Sequence, residues 1–463
     1  MGVAVSSWRL ARTVAEAGGL GVISGVGPDL LLARVLQDGD PGGNARRVLA
    51  DYPDQAFVER TLAKFFRPDG RPPGTPYRPI ARLDLSHRPE AVRLAVLGVY
   101  VQVRLAKEGH DGPVGMNLLE KVQLWTPAAL VGAMAAGVDA VLVGAGVPAH
   151  LPRLLDGLAA GQPVTLPIDV HGADAGDDFA VTLDPADIVP GLALPMPRPA
   201  MLAIVSSNIL ATYLARSEDT RPDGFVIEGP VAGGHNAPPR RLVLDDDGQP
   251  VYGARDEVDL AKLATIGLPF WVAGGYGTPE RFAEALDAGA HGVQLGTVFA
   301  LSRESGMRPD LREQLLAALA AGTLEVRTDP LASPTGFPFK VAQEPGTVAQ
   351  APVYEARERI CDLGYLRHLV KREDGSVGYR CPSEPVDAFV RKGGSVADTV
   401  GRMCLCNGLL VTAGHGQLRP GGVAEPPLLT LGQDLDGARR LQAAHPDGWS
   451  ATDVLAWLAT ARA

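Results

Sequence analysis

The chain has 463 residues, 46% apolar and 21% charged, with a formal charge of -10. That length buries a large core and suits two domains, or one barrel with an extension. Acidity and scarce Lys/Arg clusters argue against nucleic acid or an anionic membrane as partner. No apolar run reaches a membrane span and no signal peptide opens the chain, so a soluble cytoplasmic protein is expected.

From residue 1 to about 325, short apolar runs alternate with Ala/Leu-rich amphipathic segments, the signature of repeated βα units. In chain order, strands are expected at 20–24, 113–118, 140–143, 201–205, 225–227, 270–273 and 292–295. Helices are expected at 7–17, 127–136, 207–215, 279–288 and 308–321. An opening eighth strand has only residues 1–5 to form it. Residues 37–110 are Pro- and Arg-rich with helical stretches and read as a helical excursion. Residues 163–200 read as an antiparallel hairpin, with a further barrel strand as the alternative. Beyond about 330 the βα rhythm stops: SPTGFPFKV (333–341) reads as a loop, and the tail mixes short helices with Gly/Pro turns before a last helix at 451–461. The fold class expected is α/β, a (β/α)8 TIM barrel over 1–340 with insertions at 37–110 and 163–200, and an α-rich extension over 341–463.

Three strands in succession end in glycine: FVIEGPVAGGHN (225–236), FWVAGGYGTPE (270–280) and GVQLGTVFA (292–300). In a barrel the loops after the last two strands commonly bind phosphate. Gly274, Gly275 and Gly277 leave backbone N–H groups bare, Thr278-Pro279-Glu280 reads as a helix start, and Gly296 and Thr297 offer the same after the last strand. His235 follows a strand end and the pair Gly233–Gly234, where barrel enzymes keep their chemistry. Asn117 ends another strand and can serve a heteroaromatic ring or a turn. Glu228 reads equally as a strand-end surface residue and as a functional one. Trp125, Phe225 and Phe337 wall a pocket or simply pack.

These segments, with MGVAVSSWRLARTVAEAGGLGVISG, GPVGMNLL and GVQLGTVFALSRESGM, resemble the nitronate monooxygenase (2-nitropropane dioxygenase) family of FMN-dependent barrels over about residues 1–340. The resemblance implies FMN, with its phosphate on Gly274, Gly275, Gly296 and Thr297, Gly233 and Gly234 close by, and Gln294 beside the phosphate strand. It implies that Asn117 contacts the isoalloxazine and that His235 is the catalytic histidine. The implied reaction oxidises an alkyl nitronate with O2 to a carbonyl compound and nitrite. Three departures stand out. The family's first strand would precede Met1-Gly2-Val3; Ser206 and Ser207 replace a strand-end lysine; and the tail from about 350 is absent from short members. The sister group of trans-acting enoyl reductases of polyketide and polyunsaturated fatty acid synthases shares the Gly-Gly-His strand end, and Arg240 in GGHNAPPR is similar to its pattern. That likeness implies NAD(P)H-dependent reduction of an enoyl thioester or quinone. A third reading is a non-catalytic flavin- or metabolite-binding partner in a biosynthetic complex, with the tail as docking surface; a homodimer is a further expectation.

All four cysteines fall in the tail: Cys361, Cys381, Cys404 and Cys406. Thiolates suit zinc or an iron–sulfur cluster, yet the spacing C-x19-C-x22-C-x-C matches no common pattern of either. Buried reduced thiols, with no metal, are the expectation.

Overall fold

The computed structural model describes residues 2–86 and 88–462. Thirteen strands are present among them. β1 (Gly21–Ser24), β2 (Val114–Leu119) and β3 (Ala140–Gly144) are followed by β4 (Val164–Pro167) and β5 (Ala180–Leu183). β6 (Ala200–Val205), β7 (Gly224–Glu228), β8 (Phe270–Ala273) and β9 (Gly292–Gln294) come next. The remaining four are β10 (Val326–Asp329), β11 (Phe339–Ala342), β12 (His368–Lys371) and β13 (Val377–Arg380). Seven of them form one curled parallel sheet in the order β1-β2-β3-β6-β7-β8-β9, and the molecule is mixed α/β. All seven expected strands are in it.

Helices cross between these strands, and their starts follow local chemistry. The Ser7 hydroxyl accepts from Leu10 N–H, Ser207 from Leu210 and Thr278 from Arg281, each satisfying a donor that the first turn leaves free. Gly21 is forced by closeness: a Cβ there would stand 1.8 Å from the Ala11 carbonyl oxygen of helix Trp8–Glu16.

Among the described residues no eighth strand lies between the sheet edges β1 and β9. Residues 3–5 form turns, and Met1 lies outside the described residues. Ser24 N–H bonds the Ser6 carbonyl and Gly306 N–H bonds that of Val5, so this segment lies beside β1 as irregular backbone. β4 and β5 pair antiparallel as a separate hairpin, which excludes the barrel-strand alternative. The insertion before β2 is helical, ending in the buried helix Pro89–Lys107. The expected loop at 333–341 is a loop only in part, because β11 pairs antiparallel with β10. The tail also carries the hairpin β12–β13, so it is not purely helical.

Register decides what faces inward. Ser24 lies beside Asn117, Glu228 beside Ala273, and Ala273 beside Gln294. Alternation places Leu142, Leu202, Val226 and Trp271 on the same face, lower along the strands. The sheet thus has an apolar floor with polar groups at its C-terminal ends. The tail packs on this end. Trp449 is fully buried and donates to the Val298 carbonyl at 2.7 Å, in one apolar cluster with Val298, Leu315 and Leu431.

Candidate active site

A cavity of about 670 Å³ runs along the strands, from residues before β1 and β9 to the C-terminal strand ends. Its walls include every residue expected to hold the cofactor: Asn117, Gly233, Gly234, Gly274, Gly275, Gln294, Gly296 and Thr297. Two of these carry a direct sign of a missing partner. The side-chain oxygens Asn117 Oδ1 and Gln294 Oε1 are buried without a hydrogen bond, a costly condition unless a ligand supplies the donor.

The glycines behave as a cradle. Gly274 and Gly275 have φ of 87° and 79°, the left-handed region where side chains are strained. Around a Cβ on Gly296 there is open space, with nothing within 4 Å. The tail closes the cradle from outside. Gly432 N–H bonds Thr297 Oγ1 at 2.9 Å, Gln433 N–H bonds the Val231 carbonyl, and a Cβ on Gly275 would stand 3.1 Å from Asp434 Oδ2.

His235 lines a smaller adjoining cavity of about 80 Å³, whose walls also include Asn117, Glu228 and Gln294. Its Nε2 is 2.7 Å from Ser333 Oγ, which lies 2.7 Å from Thr335 Oγ1. Phe339 packs edge-on at 4.9 Å, and Lys340 N–H bonds the Gly234 carbonyl, so β11 fixes the histidine's backbone and ring. From the other side Gly234 N–H bonds Thr430 Oγ1 of the tail. Burial pulls the imidazole down to about 3, leaving it neutral at ordinary pH.

Glu228 borders both cavities, and burial pushes its carboxyl up to about 7 against the pull of Lys340. Lys340 is itself buried: its Nζ donates to Thr328 Oγ1 and to Gln433 Oε1 (2.6 Å), and burial pulls it down to about 7. Sequence reasoning passed over Ser333, Lys340 and the tail residues 430–434. Only the inward parity of β7, through Val226 to Glu228, could have singled out the carboxylate. Phe225 packs in the core away from both cavities, whereas Trp125 and Phe337 line a third, outer chamber of about 620 Å³. Tyr365 and Leu366 border both that chamber and the His235 cavity.

Residues 200–329 match the nitronate monooxygenase family model. The matched stretch runs from β6 to β10 and holds His235, the glycine cradle and Gln294; Asn117 lies outside it. Over 212 residues the chain is 26% identical to a Mycobacterium tuberculosis protein named (3aS,4S,5R,7aS)-5-hydroxy-7a-methyl-1-oxo-octahydro-1H-indene-4-carboxyl-CoA dehydrogenase, covering 42% of this chain and 56% of that one. The match therefore spans little more than half of that relative's length.

Among solved structures, FabK of Thermotoga maritima is similar at a TM-score of 0.47 and 16% identity, covering 99% of this chain and 89% of that one. Nitroalkane oxidase of Streptomyces ansochromogenes gives 0.43 and 17%, covering 99% and 92%. The enoyl reductase domain of MlnA from Bacillus amyloliquefaciens gives 0.44 and 12%, covering 80% and 85%. None of these three likenesses bears on activity. Among the described residues no helix is long and apolar enough to cross a membrane.

Proposed function

We propose that the protein binds FMN non-covalently in the 670 Å³ cavity and oxidises alkyl nitronates with O2 to a carbonyl compound and nitrite. The observation that carries this reading is the pair of unpartnered amide oxygens, Asn117 Oδ1 and Gln294 Oε1, beside an open glycine cradle. Residues 1–340 are then the flavin-binding unit, a (β/α)8 barrel whose eighth position is filled by irregular backbone, and 341–463 is an extension over its mouth. The setting is cytoplasmic, with a homodimer or a biosynthetic-complex partner as further parts of the proposal.

Bound FMN supplies an electron-accepting ring that no side chain here offers. Backbone N–H groups at Gly274, Gly275, Gly296 and Thr297 would hold its phosphate, with Gly233 and Gly234 nearby, and Asn117 and Gln294 would serve the ring. With an imidazole pulled down to about 3, His235 is a poor base at neutral pH. Its part is to orient an anionic nitronate by a hydrogen bond, the ring held by Ser333 Oγ at its Nε2. Glu228, near 7, is the group placed to take or give a proton under ordinary conditions.

One observation favours a second reading, an NAD(P)H-dependent reductase of an enoyl thioester or quinone. The outer chamber of about 620 Å³ is far larger than a small nitronate needs. Anaerobic absorbance of the purified protein separates the two. A flavin band that changes with propionate 3-nitronate, and not with NADPH or NADH, supports the monooxygenase. Rapid bleaching by a nicotinamide alone shifts the assignment to the reductase. A colourless protein that cannot be reconstituted with FMN removes the basis for both.

A further inference from the structure

The four cysteines are 45 positions apart at their extremes, yet all four border one small space of about 10 Å³. They arrive from three separate segments: Cys361 before β12, Cys381 just after β13, and Cys404 and Cys406 at the start of helix Leu405–Thr412. These are the chain's only cysteines, and none is in a disulfide. Convergence of every thiol on one point is what the spacing alone concealed.

Polar groups face the sulfurs, and the Cys404 thiol donates to the Ile360 carbonyl at 3.7 Å. Backbone N–H groups face three of the sulfurs: Ser383 faces Cys381, Asn407 faces Cys404, and Tyr365 and Leu366 face Cys406. The Asn407 side-chain amide adds a contact to Cys404 Sγ at 3.4 Å. The guanidinium groups of Arg82 and Arg367 act on Cys361, and the helix that begins at Leu405 points its positive end toward Cys404 and Cys406. The carboxylates nearby are already matched: Glu384 with Lys392 at 2.6 Å, Glu425 with Arg357 at 3.1 Å and Asp362 with Arg419 at 2.9 Å.

We propose that Cys361, Cys381, Cys404 and Cys406 form a tetrathiolate site for a single zinc ion. A space of about 10 Å³ has the room of one water-sized sphere, which suits one ion and not a multi-iron cluster. Among the described residues no three His, Cys, Asp or Glu side chains are drawn to coordinating distance. The site is therefore a converged set of thiols that closes on the ion, each thiol losing its proton as its Zn–S bond forms at about 2.3 Å. The ion's role is structural. It ties the segment bearing Tyr365 and Leu366, on the wall of the His235 cavity, to Pro334, next in sequence to the Ser333 that bonds His235.

The test is metal content of the full-length protein purified without chelator, followed by chelation and titration with cobalt(II). One zinc per chain supports the site. So do thiolate-to-cobalt charge-transfer bands with tetrahedral d–d absorption, and four thiols that react with a thiol reagent only after chelation. Cys381→Ser and Cys404→Ser should each lose most of the bound zinc. The wild-type readouts stand even if these variants fail to fold. A chain with four reduced thiols that takes up neither zinc nor cobalt overturns the proposal. Iron with acid-labile sulfide, or a disulfide in the purified protein, overturns it as well.

Discussion

The inner cavity and the outer chamber have nearly the same volume, about 670 and 620 Å³, and opposite habits toward their polar groups. In the outer chamber the cationic side chains are spoken for. Arg367 donates to the carbonyls of Gly364 and Leu83, Arg82 to that of Asp362, and Arg78 to that of Lys64; Arg34 bonds the His415 carbonyl, with only its Nε unpartnered. In the inner cavity Asn117 Oδ1 and Gln294 Oε1 have no partner, and the backbone at Gly274 and Gly275 takes a conformation only glycine holds easily. Charge lining a chamber is thus a weaker sign of a ligand than neutral groups left unsatisfied.

Substitutions can break this contrast. The largest effect is expected from His235→Asn, which should keep flavin bound and lower turnover by about ten- to a hundredfold, the worth of one hydrogen bond to a charged substrate; unchanged kcat sinks its assignment. Gly275→Val should weaken FMN binding by about tenfold or more, since a side chain at φ 79° is strained by about 1–2 kcal/mol and would also crowd Asp434. Fluorescence titration of the apoprotein reads this directly. Arg367→Ala is the counterpart in the outer chamber. It should cost about 1–3 kcal/mol of stability through the carbonyls it abandons and leave FMN affinity unchanged. An equal loss of flavin affinity in both variants would erase the distinction.

Two smaller effects sharpen it. Asn117→Leu removes a buried acceptor that only a ligand can satisfy. The flavin-free protein should become more stable to heat while FMN affinity falls by a few-fold, whereas a fall in both means Asn117 serves the fold. Glu228 titrates higher folded than unfolded, so its contribution to stability is full below about 4.5 and is lost as pH rises through about 7. Glu228→Gln should therefore raise the melting temperature of the apoprotein above about pH 7 and do little below about pH 5.

The sequence made the parallel sheet plain because strands buried on both faces read as continuous apolar runs, each stopped by glycine, as at Phe270–Ala273 before Gly274. It made the cradle plain because few side chains compete with glycine for positive φ. It did not show Ser333, Lys340, Thr430 or Asp434. Their roles come from pairing over long separations, such as 98 residues between Ser333 and His235 and 196 between Thr430 and Gly234. No local pattern encodes such distances. The same holds for the cysteines: their intervals match no familiar motif because three segments, and not one knuckle, bring them together.

Trp449 gives the molecule an order in time. Its indole bonds the carbonyl of Val298, one residue beyond Thr297, and Gly432 bonds the Thr297 hydroxyl. Gly432 on the cavity wall and Trp449 behind it are thus made more than 130 positions after the residues they hold. During synthesis the strand ends therefore leave the ribosome well before the residues that fasten over them.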